Sequence, residues 1–253
     1  MSIRNFLPYF LKKRLWGDRD NFGLVAEKTD PSWREWHQIH TEFYKSNQRG
    51  FLGGKVNDIG YSILKKIDLE NKNILEIGAG DIRHINFWRG QKPYNYVLAD
   101  ISNEMMGIAE NKLKVKNIKY EKLLLDNERK LPLDDESVDI VISFYSLEHI
   151  YPLEEYLREV SRVLKKDGLV VGAIPSEGGI VWGLGRYFTS RRWFKKNTQI
   201  NPDKIICWEH PNFADYIIKN LDLFFKRKML NFEPFKIPFI DTNLIIKFIY
   251  IKE

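Results

Sequence analysis

From Asn73 onward the apolar positions come in short runs, such as Ile74-Leu75-Glu76-Ile77, Tyr96-Val97-Leu98-Ala99 and Val138-Asp139-Ile140-Val141-Ile142. Between them lie longer stretches in which apolar residues recur every three or four positions. Short apolar runs suit strands buried on both faces, the longer period suits amphipathic helices, and their alternation is the mark of parallel βαβ units. The pattern predicts strands over Asn73–Ile77, Tyr96–Ala99, Lys119–Leu124, Val138–Phe144 and Leu169–Ile174, with helices over Ile82–Trp88, Asn103–Lys114 and Leu153–Leu164. The last helix is the clearest: Leu153, Tyr156, Leu157, Val160, Val163 and Leu164 form one stripe, closed by Lys165, Lys166 and Gly168. Residues 176–212 interrupt the alternation, and a helix over Phe213–Asn220 and strands over Phe224–Leu230 and Leu244–Ile251 complete it. The expectation is an α/β, Rossmann-like, doubly wound and mostly parallel seven-stranded sheet with helices on both faces. An N-terminal helical segment, residues 1–70, precedes a domain spanning 71–253, and 176–212 forms an insert after the fifth strand.

Composition sharpens this only in places. A chain of 253 residues, 43% hydrophobic and 29% charged, is long and apolar enough for one substantial core. The net charge of +6 is concentrated: Arg186, Arg191, Arg192, Lys195, Lys196 and Lys204 face a single acid, Asp203, between Gly178 and Lys204. Such a segment is either a solvated face or a surface for anionic partners. One cysteine, Cys207, excludes an intramolecular disulfide framework, and five scattered histidines give no metal cluster by spacing, so no metal is expected. The apolar stretch Phe6–Leu11, broken by Pro8, is too short for a signal-peptide core or a membrane span, which points to the cytoplasm. Phe6 to Trp16, with Lys12, Lys13 and Arg14, reads as a helix packed on the domain or as a peripheral membrane contact.

The candidate chemistry gathers at strand ends. Ile77 runs into Gly78-Ala79-Gly80-Asp81, a turn in which glycines let backbone N–H groups approach a ligand. The second strand ends at Asp100, placed to accept both ribose hydroxyls of an adenosine group. The third is followed by Leu125-Asp126-Asn127, and the fourth by Tyr145-Ser146-Leu147-Glu148-His149. Open α/β sheets bind ligands at such carboxyl ends. A nicotinamide fingerprint would need glycine at the sixth motif position, where Arg83 stands.

From Ile74 to Pro175 these pieces resemble, in order and spacing, the class I S-adenosylmethionine-dependent methyltransferases of the type 11 group. The resemblance implies that Glu76, Gly78, Ala79 and Gly80 hold the amino acid end of S-adenosylmethionine. It also implies that Asp100, with Ile101, grips the ribose, that Asp126 and Asn127 read the adenine, and that Ser143 completes the cofactor side. One position departs: Ile82 stands where the family usually has its third glycine, so the turn is expected to be reshaped there.

His149, just past the fourth strand, is the candidate general base for a hydroxyl nucleophile, or else a residue that fixes the following helix. His40 and Tyr44 from the N-terminal segment and His210 from the insert are candidate acceptor contacts. The insert, through Gly183-Leu184-Gly185-Arg186, Thr189 to Phe194 and Glu209-His210-Pro211-Asn212, resembles segments of type 11 members associated with bacterial surface polysaccharide pathways. That resemblance implies O-methylation of a small molecule or of a saccharide on a nucleotide or lipid carrier, with Arg186, Arg191 and Arg192 as phosphate partners. Two alternatives remain at this level. An RNA or DNA methyltransferase would be expected to carry an Asn/Asp-Pro-Pro-aromatic motif where Ser143-Phe144-Tyr145-Ser146 stands, and a non-catalytic scaffold is made conceivable by Ile82.

Overall fold

The computed structural model describes residues 2–39, 51–125 and 130–253. Among them the sheet has seven strands in the order β3-β2-β1-β4-β5-β7-β6. These are β1 (Asn73–Ile77), β2 (Asn95–Asp100), β3 (Tyr120–Leu124), β4 (Val138–Phe144), β5 (Leu164–Pro175), β6 (Lys226–Glu233) and β7 (Ile245–Ile251). All neighbours from β3 to β5 pair in parallel, whereas β7 runs antiparallel to both β5 and β6. The doubly wound expectation holds. β5 begins earlier than the apolar run suggests, because the chain leaves the preceding helix at Leu164 directly into extended backbone paired with Val138.

The N-terminal part supplies α1 (Tyr9–Trp16), the short α2 (Arg19–Phe22), a helical stretch α3 over residues 31–39 and α4 (Phe51–Tyr61). Then follow α5 (Asn103–Val115), α6 (Leu153–Val163), α7 (Ile180–Phe188), α8 (Ser190–Asn197), α9 (Pro202–Glu209) and α10 (Ala214–Phe224). Strand side chains alternate between two cores. Leu75, Ile77, Val97 and Val141 pack with Leu157 and Val160 of α6 and with Ile217 and Leu221 of α10. Ile74, Leu98, Ile140 and Ile142 pack on the other face with Leu64, Trp88, Met106 and Leu113. Both faces of the sheet are therefore dry, which is why the central strands are apolar at nearly every position.

The insert is helical, and it packs on the N-terminal segment. Trp36, Phe194, Ile200, Ile205, Cys207 and Trp208 form a third apolar cluster. The Trp16 indole donates to the Gly179 carbonyl at 3.3 Å, and a Cβ on Gly17 would fall 2.7 Å from Cys207 Sγ. Burial pushes the Cys207 thiol up to about 12. Among the described residues no helix is long and apolar enough to cross a membrane.

One predicted helix is different. Residues 82–88 hold only a single 3-10 turn, Arg83–Phe87, because Ile82 sits in the left-handed region at φ 44° and ψ 47° and cannot start an α-helix. Arg89 and Gly90, also at positive φ, end the turn.

Candidate active site

Strand order reverses between β1 and β4, and the register sets one level for everything beyond. Ile77 lies opposite both Ala99 and Ser143. Gly78, Asp100 and Phe144 therefore stand side by side at the carboxyl edge of the sheet. Gly78 and Gly80 take φ 65° and 50°, conformations costly for other residues. A Cβ on Gly78 would lie 2.4 Å from the Ser146 Cβ, so glycine also lets the β1 and β4 turns touch. The Gly78 N–H donates to the Ala99 carbonyl at 2.8 Å. The Gly80 N–H donates to Asp100 Oδ2, and the Ser102 N–H to Oδ1, both at 2.8 Å. Each carboxylate oxygen keeps a second lone pair. Asp100 is thus held rigidly, only 8% exposed, with acceptor capacity left for two ribose hydroxyls, while Ile101 beside it is 78% exposed as an apolar shelf. The turn fits an adenosine-bearing cofactor on these grounds.

Glu76 needs correcting. It is buried beneath the turn, with Oε1 2.6 Å from His84 Nε2 and Oε2 accepting from the Tyr96 hydroxyl at 2.5 Å. The Trp88 indole donates to His84 Nδ1 at 3.0 Å, so the His84 proton sits on Nε2, facing Glu76. Both oxygens are engaged inside the fold, and Glu76 locks β1 to the 3-10 turn rather than presenting a free carboxylate. Ala79 is in place within the turn and buried. Asp126 and Asn127 lie outside the described residues, as do His40 and Tyr44.

Ile82 makes a sharp test of the turn. Its side chain is 1% exposed in the second core, yet its backbone holds the conformation natural to glycine. A left-handed β-branched residue costs about 1–2 kcal/mol, while deleting a buried isoleucine side chain costs about 2–5 kcal/mol. Ile82→Ala loses the packing and keeps much of the strain, whereas Ile82→Gly loses the packing and relieves it. Both variants should be less stable than wild type, with Ile82→Gly the more stable of the two by about 1 kcal/mol. Urea denaturation of the pair checks this order, and a less stable glycine variant refutes it.

Beyond the glycine turn lies a second group of polar side chains. Ser146 Oγ donates to the Ile77 carbonyl at 2.9 Å, so in the 2.6 Å contact between the two hydroxyls Ser143 is the donor. Two residues on, Glu148 is 2% exposed and its Oε2 has no hydrogen-bond partner among the described residues. His149 Nε2 is 3.9 Å from Glu148 Oε1, and its Nδ1 is 3.5 Å from Glu209 Oε2. Glu209 is fixed in turn by the Trp36 indole at 2.6 Å. The His149 and His210 rings stand 4.6 Å apart. Burial opposes the charge on His149, but the contact with Glu209 and the charges of Glu148 and Glu209 win, raising its pKa to about 9. Burial lifts Glu148 to about 7 despite His149, and burial with the charges of Arg186, His149 and Arg19 holds His210 well below the ordinary histidine range. The raised pKa favours the charged ring, so His149 serves as a base or a ligand only after giving up that proton.

Sequence spacing suggested no metal cluster, yet folding brings Glu148, His149 and His210 together. One ligand atom from each lies within 4.8 Å of the others. The three come from the turn after β4 and the loop after α9, separated by about sixty positions, which no spacing rule detects.

The arginines expected to meet phosphate fall in different places. Arg186 makes two hydrogen bonds to Glu177, at 2.8 and 2.5 Å, and Glu177 is fully buried with the Trp182 indole as a third donor at 2.8 Å. Arg191, 6% exposed, pairs with Asp203 at 2.6 Å and reaches the Lys13 carbonyl. Both guanidinium groups are spent holding the insert together, which corrects their reading as phosphate partners. Arg192 is exposed and lies over the Phe188 ring at 5.3 Å.

Comparison with known proteins agrees with this geometry. Residues 75–172 match the methyltransferase domain family. An uncharacterized protein of Methanocaldococcus jannaschii is 32% identical over 145 residues, covering 57% of this chain and 53% of its own length. An uncharacterized methyltransferase of Bacillus subtilis is 27% identical, covering 51% and 49%. The chain spans about half the length of these curated relatives. The solved S-adenosylmethionine-dependent methyltransferase of Mesorhizobium loti superposes with a TM-score of 0.55 at 16% identity, over 78% of this chain and 100% of that one, and so shares the fold. The glycine turn, Asp100 and the strand order thus stand within the stretch, residues 75–172, that matches a methyltransferase domain.

Proposed function

We propose that the whole chain is a methyltransferase that moves the S-adenosylmethionine methyl group to a hydroxyl of a small molecule or of a saccharide on a nucleotide or lipid carrier. One observation carries this reading. The adenosine-holding turn at β1 and β2 and the Glu148–His149–His210 group after β4 stand on adjacent strand ends, so a polar acceptor on the second would meet a cofactor on the first. The cofactor brings a methyl group on a sulfonium, already joined to a good leaving group. What remains for the protein is alignment and exclusion of water. Gly80 and Asp100 hold the adenosine side, and the insert, tied down by Glu177–Arg186 and Arg191–Asp203, supports the acceptor side. A radiolabelled methyl-transfer assay over nucleotide sugars, lipid-linked saccharides and RNA tests the class. Label appearing in a saccharide upholds the reading, and label only in RNA overturns it.

The lipid-carrier branch has its own support. Phe6, in the 3-10 turn before α1, and Phe10, on α1, are 74% and 61% exposed, with Tyr9 between them, and Lys12, Lys13 and Arg14 follow on α1. Exposed aromatics beside cations suit the headgroup layer of an anionic membrane. The Phe6→Ser/Phe10→Ser variant should bind vesicles of mixed anionic and neutral phospholipid about tenfold more weakly in a sedimentation assay, with unchanged cofactor affinity. Equal vesicle binding by wild type and variant removes this contact.

A further inference from the structure

Resting on the acceptor reading above, we propose that Glu148, His149 and His210 form a divalent-cation site that receives a hydroxyl oxygen of the acceptor. Two imidazoles and one carboxylate are a donor set for first-row transition ions that leaves coordination positions open for substrate. Ligands about 2.1 Å from a common ion stand roughly 3–3.5 Å apart. The donor atoms here lie within 4.8 Å of one another, so modest side-chain rotations close the site.

Three independent features single this cluster out from an ordinary polar network. Glu148 is 2% exposed, and its Oε2, like His210 Nδ1, is buried without a hydrogen bond among the described residues. Buried polar atoms left unpaired are costly, and a bound cation would satisfy the carboxylate oxygen. His149 Nδ1 has Glu209 Oε2 at 3.5 Å, whereas His210 Nδ1 lies 3.4 Å from Glu177 Oε2 without a hydrogen bond. Carboxylates in that position orient metal-binding histidines and raise their basicity. Those carboxylates are themselves fixed, Glu209 by Trp36 and Glu177 by Trp182 and Arg186. Finally, both ring side chains keep partial exposure, 28% and 20%, so the cluster opens outward. The Ser146 hydroxyl, two residues from Glu148, bonds the Ile77 carbonyl at the start of the glycine turn, which ties the β4 turn that carries Glu148 and His149 to the glycine turn.

The chemistry balances without a protein base. A hydroxyl held by the cation loses its proton to water more readily, in the way that a zinc-bound water does. The freed electron pair forms the oxygen–carbon bond while the carbon–sulfur bond breaks, its electrons converting the sulfonium to a thioether.

The test is a titration of metal-free protein with Co²⁺ alone, read by its visible absorption, and with Mn²⁺ alone, read by electron paramagnetic resonance. One equivalent should bind. His210→Ala and Glu148→Gln should each weaken binding by about 100-fold, and Glu209→Gln, which spares the proposed ligands, by about 10-fold. Every variant is also titrated with S-adenosylmethionine, whose unchanged affinity shows an intact fold. Absence of one-equivalent binding for both ions, or binding unaltered in His210→Ala, overturns the cation site. The cofactor titration keeps the two readings apart. Intact S-adenosylmethionine binding without metal binding sinks the cation site alone, whereas metal binding without S-adenosylmethionine binding sinks the methyltransferase reading.

Discussion

Asp100→Ala should raise the dissociation constant for S-adenosylmethionine by about 100- to 1,000-fold in isothermal titration. Two hydrogen bonds to a charged group, near the lower end of their usual strength at about 1.5–2 kcal/mol each, total about 3–4 kcal/mol, which converts to that range. The substitution also releases the Gly80 and Ser102 N–H groups, so the turn loses its lock as well as its acceptor. Asp100→Asn separates these effects, because the amide oxygen still accepts one backbone bond while half the acceptor capacity disappears. An intermediate loss of about tenfold is expected for it. An Asp100→Ala protein that binds the cofactor as wild type does would place the adenosine elsewhere.

Glu177→Ala is expected to be the most destabilising single change in the insert, by about 3–5 kcal/mol, because it strands a buried guanidinium. Arg186, on α7, would have no anion to meet, and the Trp182 indole would lose its acceptor. The loss should show as a lower urea midpoint and as early proteolytic cleavage within residues 176–212. Arg186→Met, which removes the cation instead, leaves the fully buried Glu177 with only the Trp182 indole and should also be strongly destabilising. A Glu177→Ala protein as stable as wild type would mean that the pair adds nothing to the insert.

The cofactor half of the molecule was legible because its signals are local. A strand, a turn needing positive φ and an acid at the next strand end are each written in a few consecutive residues, and Asp100 and Gly80 met as their spacing implied. Strand limits were nearly as readable: Asn73–Ile77 and Val138–Phe144 coincide with the observed β1 and β4. What spacing could not show was which polar residues turn inward. Glu76 looked like a ligand because it precedes the glycines, but its partners His84 and Tyr96 come from other elements. Arg186 and Arg191 looked like a basic surface because their counter-ions, Glu177 and Asp203, are nine and twelve positions away. The Glu148–His149–His210 group is invisible for the same reason, since only the docking of the insert on the β4 turn assembles it. The helix expected at Ile82 failed on backbone geometry: an isoleucine there takes a conformation natural to glycine.

The single thiol offers a clock for the insert. Cys207 is fully buried against Gly17, with its ionisation suppressed, so alkylating reagents reach it only while α1 and α9 are apart. Its labelling rate in native buffer therefore counts openings of that seam directly, one event at a time. If the insert closes over bound acceptor, saturating acceptor will slow the clock, and labelling becomes a way to find the acceptor before any product is known.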